Sequence, residues 1–194
     1  PELHRAAFDM TYDWDLYDLM KRMAQGEASV LDLKRLVTRP PVTYPADAYR
    51  MRFTTNHDKN TWVAHDEELY GPAFKAFAVL AATLPGMMLI YSGQESGLDK
   101  RLEFFEKDPI NWGTYALADF YRELARLKHQ NRALWNGTAG GPVEILPVTT
   151  RTLLAFSRIK DDNRVTVLIN FSRRSRKVTA TADWPDLTLK PFGY

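Results

Sequence analysis

The sequence predicts an α/β arrangement that gives way to an all-β one, and three observations carry the prediction. Strand-forming runs at 8–12, 49–55 and 87–91 alternate with segments of helical periodicity, the pattern of parallel strands joined by right-handed crossovers. The third run, Met87-Met88-Leu89-Ile90-Tyr91, has no polar alternation, which fits a parallel strand covered on both faces. After Gly137 the texture changes to short β-prone runs separated by turn residues, the mark of a small antiparallel region.

The first strand is Phe8-Asp9-Met10-Thr11-Tyr12. From 14 to 24, Leu16, Leu19, Met20 and Met23 recur at i, i+3, i+4 and i+7, one face of a helix, with Gly26 as its C-terminal stop. Val30, Leu31, Leu33, Leu36 and Val37 predict a second short helix, ended by Pro40-Pro41. Tyr49-Arg50-Met51-Arg52 is strand-like and is expected to continue as far as Thr55. Residues 72–83 read as a strong helix with Phe74, Phe77, Ala78, Leu80 and Ala81 on the buried side, and Pro85-Gly86 turns the chain into the third strand. A last amphipathic helix is expected over 117–134, carrying Phe120, Leu124, Leu127 and Leu134. Strands are then expected at 143–146, 152–159, 165–171 and 177–182, with Asp161-Asp162-Asn163 as a hairpin connector. The change of texture lies at 136–141, dividing the chain into 1–137 and 138–194.

Composition narrows the function classes. The chain has 194 residues, 45% of them hydrophobic, enough for a sizeable core. With 26 basic and 24 acidic residues the net charge is only +2, so no nucleic-acid partner is expected. The basic run Arg173-Arg174-Ser175-Arg176-Lys177 reads as a solvated hairpin. No apolar stretch approaches the ~20 residues needed to cross a bilayer, and no membrane partner is expected. The absence of Cys removes disulfides, thiolate metal sites and a Cys nucleophile together. The chain opens on Pro1-Glu2-Leu3, so the lack of a leader there leaves the compartment open.

The chemistry-bearing residues cluster at the ends of two of the strands. Phe53-Thr54-Thr55-Asn56-His57-Asp58 follows the second strand, and Ser92-Gly93-Gln94-Glu95 follows the third. An amide, an imidazole and a carboxylate just past a parallel strand are the usual layout of catalytic groups on a β/α barrel. The bland alternative makes Asp58 a turn or helix-capping residue. Glu95 is either a functional group at a strand end or a buried carboxylate paired with a base. Trp62 and Tyr70 could stack on the flat face of a ligand or belong to the core, whereas Trp14 and Trp112 read as packing residues. A metal site would need more ligands than His4, His57, His65 and His129 offer; His129 reads as surface, and His65, after the Asp58 loop, either lines a cleft or is solvated. Asn136-Gly137-Thr138 and Asn170-Phe171-Ser172 match the glycosylation acceptor pattern by chance.

Four landmarks in consistent order resemble the C-terminal portion of an α-amylase family glycoside hydrolase. Ala7-Phe8-Asp9 and Trp14-Asp15-Leu16-Tyr17 are similar to the sixth strand and helix of that family's barrel, and Asn56-His57-Asp58 to the signature ending its seventh strand. Tyr91-Ser92-Gly93-Gln94-Glu95 is similar to the pattern ending the eighth strand, and Lys107-Asp108-Pro109-Ile110-Asn111-Trp112 to the element linking onward. The resemblance implies about the last three βα units of a (β/α)8 TIM barrel over 1–137 and an antiparallel β-sandwich over 138–194. It makes Asp58 the transition-state-stabilising carboxylate. His57 would donate to a sugar hydroxyl, Asn56 would brace the loop or touch substrate, and Glu95 and Trp62 would bind substrate. No metal and no cofactor are expected from these residues. The family's nucleophilic Asp and acid/base Glu would both precede Pro1. The chain alone is therefore expected to lack hydrolytic activity and to need a cover for its open half-barrel, either the preceding part of the barrel or a second copy. The implied activity is retaining hydrolysis of an α-glucan or oligosaccharide. Transglycosylation or sucrose- or trehalose-type isomerisation by the same family, and a non-catalytic carbohydrate-binding module, stay open as alternatives.

Overall fold

The computed structural model describes residues 2–39, 44–45, 47–182 and 184–194. A one-turn helix α1 (Glu2–Ala6) leads into β1 (Met10–Tyr12), followed by α2 (Trp14–Ala24) and α3 (Val30–Thr38). Strand β2 (Tyr49–Arg52) comes next, then α4 (His57–Trp62), α5 (Asp66–Tyr70), α6 (Phe74–Thr83) and β3 (Met87–Met88). Helix α7 (Ala118–Gln130) precedes five antiparallel strands: β4 (Val143–Ile145), β5 (Leu153–Lys160), β6 (Asn163–Asn170), β7 (Arg176–Val178) and β8 (Leu187–Leu189).

β1, β2 and β3 form a parallel sheet in that order, with Tyr12 opposite Met51 and Met51 opposite Met87. Every connection in it is helical, as parallel pairing requires. Helix α2 starts where the Asp13 carboxylate accepts from the Leu16 amide at 3.3 Å, satisfying one of the orphan donors of a helix N-terminus. At α3 the Asp32 carboxylate reaches back to the Ser29 amide at 2.9 Å, half of a capping box. Helix α6 is buried on every side from Ala76 to Thr83, not only on the expected side of Phe77, Ala78, Leu80 and Ala81, while Phe74 is only partly covered; such a helix is apolar all round.

The core shows how the antiparallel part is held. β5 is buried over six successive residues, Leu153 to Arg158, because both of its faces are covered. Leu154 and Phe156, with Val167 and Ile169 of β6, pack into one cluster with Leu16 and Met20 of α2, Leu33 of α3, Phe77 and Leu80 of α6 and Leu124 of α7. Leu153 and Ala155 face the other way, onto Val178, Trp184 and Leu189 around the β7–β8 pair. Side chains that alternate between two covered faces give a strand with no polar side.

Arg158 is the exception in that apolar strand. It is 1% exposed and spends its guanidinium on backbone carbonyls: Gly141 at 2.9 Å, Thr83 at 3.1 Å, Leu134 at 3.3 Å and Trp135 at 3.0 Å. Desolvation lowers its pKa to about 10, still far above neutrality, so the group remains a cation. The Thr83 carbonyl is one of those that the C-terminus of α6 leaves without an intrahelical partner. A single side chain from the antiparallel sheet thus finishes a helix of the parallel part.

Several boundaries differ from the sequence reading. β2 ends at Arg52 rather than continuing to Thr55, because residues 53–55 leave the sheet to enter α4. The helix expected over 117–134 stops at Gln130 and resumes as a 3-10 turn at Arg132–Leu134. The Pro40-Pro41 stop lies outside the described residues; α3 itself ends at Thr38. The expected strand at 177–182 is shorter, Arg176–Val178, and pairs with β8, which the sequence reading did not foresee. The β5–β6 connection is tight, with Lys160 opposite Asn163 and Asp161 at a φ of 55°, a conformation that Asp tolerates better than most residues.

Candidate active site

The site grows from the point where β2 ends. Phe53 is buried against the rings of Tyr12, Trp14 and Tyr17, with centroids 5.3–5.5 Å away. Thr54, Thr55 and Asn56 are buried after it. Asn56 is the N-cap of α4, its side-chain oxygen accepting from the Lys59 amide at 2.8 Å. That hydrogen bond fixes the turn and delivers His57 and Asp58 to the outside, their side chains 58% and 46% exposed, with His57 Nε2 lying 3.6 Å from Asp58 Oδ1. Lys59 folds back over the Trp14 and Tyr17 rings. Trp14 therefore packs as expected, while Trp112 stacks on Tyr115 at the surface.

The next turn of α4 ties down a long loop. Asn60 is buried; its amide donates to the Lys100 carbonyl at 3.1 Å, and its oxygen accepts from the Leu102 amide at 2.8 Å. The Thr61 hydroxyl donates to the Leu102 carbonyl at 2.8 Å. Trp62 lies one turn from Asp58 on the same helical face and is 60% exposed. It stands 5.3 Å from Phe104, centroid to centroid, and Phe104 stands 4.8 Å from Phe105. Trp62 is thus part of an open aromatic patch.

Beyond β3 the chain turns through Gly93, at a φ of 97°. Glu95 is half-buried, with Oε2 accepting from the Gly93 amide at 3.1 Å. The neighbouring Gln94 is buried and points inward: its oxygen accepts from the Tyr91 amide at 2.7 Å, and its amide donates to Thr54 Oγ1 at 2.9 Å and Asp66 Oδ2 at 2.5 Å. Thr54 Oγ1 also donates to Asp66 Oδ2, at 3.1 Å. Asn56, His57, Asp58 and Trp62 therefore share one turn and helix, and Glu95 sits on the adjacent strand end, coupled to them through Gln94 and Thr54.

Burial decides two readings that the sequence left open. Tyr70 cannot meet a sugar: it is 4% exposed and its hydroxyl donates to the Thr54 carbonyl at 2.8 Å. His65 is not solvated; its ring is largely covered, and Nδ1 is buried without a protein partner. The sequence reading also passed over Asp66. Burial raises its pKa to about 6, against the lowering effects of Gln94, Thr54, His65 and Tyr121. No group of three or more His, Asp or Glu side chains among the described residues is arranged to hold a metal ion.

No family model matches the chain. It is 27% identical over 197 aligned residues to the α-amylase MalA of Haloarcula japonica, an alignment that takes in 96% of this chain and 28% of that protein. Alpha-amylase 2 of Dictyoglomus thermophilum is 24% identical over 93% of this chain and 33% of its own length. The sequence is thus similar to α-amylases along nearly its whole length. Among solved structures, the α-amylase of Lactobacillus plantarum superposes with a TM-score of 0.75 at 22% identity, covering 98% of this chain and 48% of its own. A cyclic α-maltosyl-(1→6)-maltose hydrolase from Arthrobacter globiformis, solved with that sugar, gives 0.73 at 19% identity over 95% and 43%. The α-amylase-like chain thus spans about a third of the curated relatives and under half of the solved ones, consistent with part of a barrel followed by a β region.

Proposed function

We propose that these residues supply one corner of a retaining α-glucan hydrolase site, with Asp58 as the carboxylate that stabilises the transition state. The observation that carries the reading is the contrast within one turn: Phe53 to Asn56 and Asn60 are buried, while the His57 imidazole and the Asp58 carboxylate are left open to solvent. Retaining hydrolysis uses a nucleophilic and a proton-donating carboxyl group about 5–5.5 Å apart around an oxocarbenium-like transition state. A third, preoriented carboxylate that holds sugar hydroxyls tightens its grip as positive charge develops at the ring. His57 would donate to a neighbouring hydroxyl, Glu95 would hold a further one, and Trp62 would lie against a pyranose face. Asn56, buried and committed to its cap, braces the turn instead of touching substrate.

The nucleophile and the acid/base belong to sequence outside these 194 residues. The preceding part of a (β/α)8 barrel, or a second copy, would cover the sheet, whose β1 and β3 have one strand neighbour each among the described residues. The sugar in the Arthrobacter structure supports a maltooligosaccharide as the ligand class. The test is turnover of starch and maltooligosaccharides by the full-length protein and by its Asp58→Asn variant. Loss of turnover in the variant is expected, as is none by the 194-residue chain alone; an Asp58→Asn enzyme as fast as the parent sinks the assignment.

A further inference from the structure

Behind the exposed turn lies a small pocket of about 20 Å³ lined by Thr55, His65, Asp66, Tyr91, Gln94 and Leu117, among others. We propose that this cavity binds one structural water and that Asp66 and Gln94 are positioning residues which, through that water and Thr54, lock the Asp58 turn to the Glu95 turn. The positioning half of the proposal rests on the assignment of Asp58 and Glu95 to the sugar site; the water site does not.

The volume is what one water needs, and an internal water requires two to four polar partners. Three are present. Thr55 Oγ1, His65 Nδ1 and Asp66 Oδ1 are buried, have no hydrogen-bond partner in the protein, and belong to residues on the cavity wall. Their hydrogen-bonding senses are complementary. With its proton on Nε2, which lies 4.0 Å from Glu68 Oε2, His65 presents Nδ1 as an acceptor. A water can then donate to Asp66 Oδ1 and His65 Nδ1 and accept from the Thr55 hydroxyl. Without it, three buried polar groups would stay unsatisfied, each at a cost of about 1–3 kcal/mol.

The other oxygen of Asp66 does the joining. Oδ2 receives both Gln94 Nε2 and Thr54 Oγ1, and Gln94 returns through its own oxygen to the Tyr91 amide. Thr54 leads directly into Asn56-His57-Asp58, and Gln94 is adjacent to Glu95. One buried carboxylate at the start of α5 thereby ties together the two strand ends that carry the polar groups of the site. Displacing a reacting or binding group by about 1 Å can cost on the order of 100-fold in rate, so a loosened network should be read in turnover before affinity.

The experiment uses the full-length enzyme in two arms. Diffraction at better than about 2 Å is expected to show one water within hydrogen-bonding distance of Thr55, His65 and Asp66; an empty cavity overturns the proposal whatever the activity. In the kinetic arm, Asp66→Leu and Gln94→Met are expected to lower kcat about 30- to 100-fold on a maltooligosaccharide with little change in KM. Asp66→Asn, which keeps an acceptor for Gln94 and Thr54, should recover most of that loss. Folded variants with kcat within threefold of the parent overturn the positioning role. Should Asp66→Leu fail to fold, Gln94→Met and Asp66→Asn carry the comparison. If Asp58→Asn instead retains turnover, the catalytic assignment falls by its own assay, and the water site is judged by diffraction alone.

Discussion

Asn56 and Asp58 are near neighbours with opposite fates, and the turn between β2 and α4 is the cause. Asn56 is consumed by capping the Lys59 amide, which leaves Asp58 outside the cap and free for chemistry. If Asp58 stabilises the transition state, Asp58→Asn in the full-length enzyme should lower kcat by roughly 100- to 1000-fold with a smaller change in KM, measured by steady-state kinetics. Asn56→Ala should act through stability, costing about 1 kcal/mol, measured as a shift in the denaturant midpoint. Asp66 makes a pH prediction. Its pKa rises from 3.8 to about 6 on folding, so the folded state holds the proton more tightly. Its stabilising contribution is therefore complete below about pH 4 and is lost as pH rises through about 6. Thermal melts across that window should show a falling component that Asp66→Asn removes; an unchanged slope would contradict the burial argument. The Asn-His-Asp triplet was legible because its residue types follow a strand-like run directly. Asp66 was not, because the long-range contacts with Gln94 and Thr54 that bury it leave no trace in local pattern.

Elements followed the same division. Helix α2 showed in the sequence through apolar spacing and α6 through sheer apolarity, whereas the apolar run 87–91, expected to be a strand covered on both faces, pairs only over Met87–Met88 and leaves Met87 and Ile90 exposed. What local pattern missed were ends and pairings. β2 stops short of Thr55 because the chain must turn to build the cap, and β8 emerges only from its pairing with β7 across an intervening loop. Gly86 belongs to this scale. It takes a φ of 129°, and a Cβ there would stand 2.3 Å from the Arg50 carbonyl, in the turn that Arg52 also holds through the Pro85 carbonyl at 2.9 Å. Gly86→Ala should destabilise by at least about 1–3 kcal/mol, from strain and the forced backbone shift; chemical denaturation would reveal a silent substitution and so refute the close approach.

For the whole molecule, the parallel sheet ends on both sides in a strand with one partner among the described residues, and Met87, Ile90 and Trp135 lie exposed along a groove beside β3. Unpaired edges and apolar grooves promote association. The isolated 194-residue chain should therefore sediment as oligomers or aggregate, and should become soluble when co-expressed with a cover for the sheet such as the preceding barrel part proposed above; a well-behaved monomer at micromolar concentration would refute this. Arg158→Met should be the costliest single change proposed here, about 3–5 kcal/mol, since it leaves several buried carbonyls without a donor; an unchanged melting midpoint would refute it. The sequence did display this arginine, isolated in an apolar strand, but nothing local says which carbonyls it will find. Its contacts bear on modularity. A β appendage that merely rests against a catalytic fold can be exchanged, shortened or lost, whereas one that closes a helix of its neighbour cannot. Cutting this chain in the 136–141 stretch would not liberate two independent parts, and any graft of the antiparallel sheets onto another parallel sheet would have to bring a substitute for Arg158 with it.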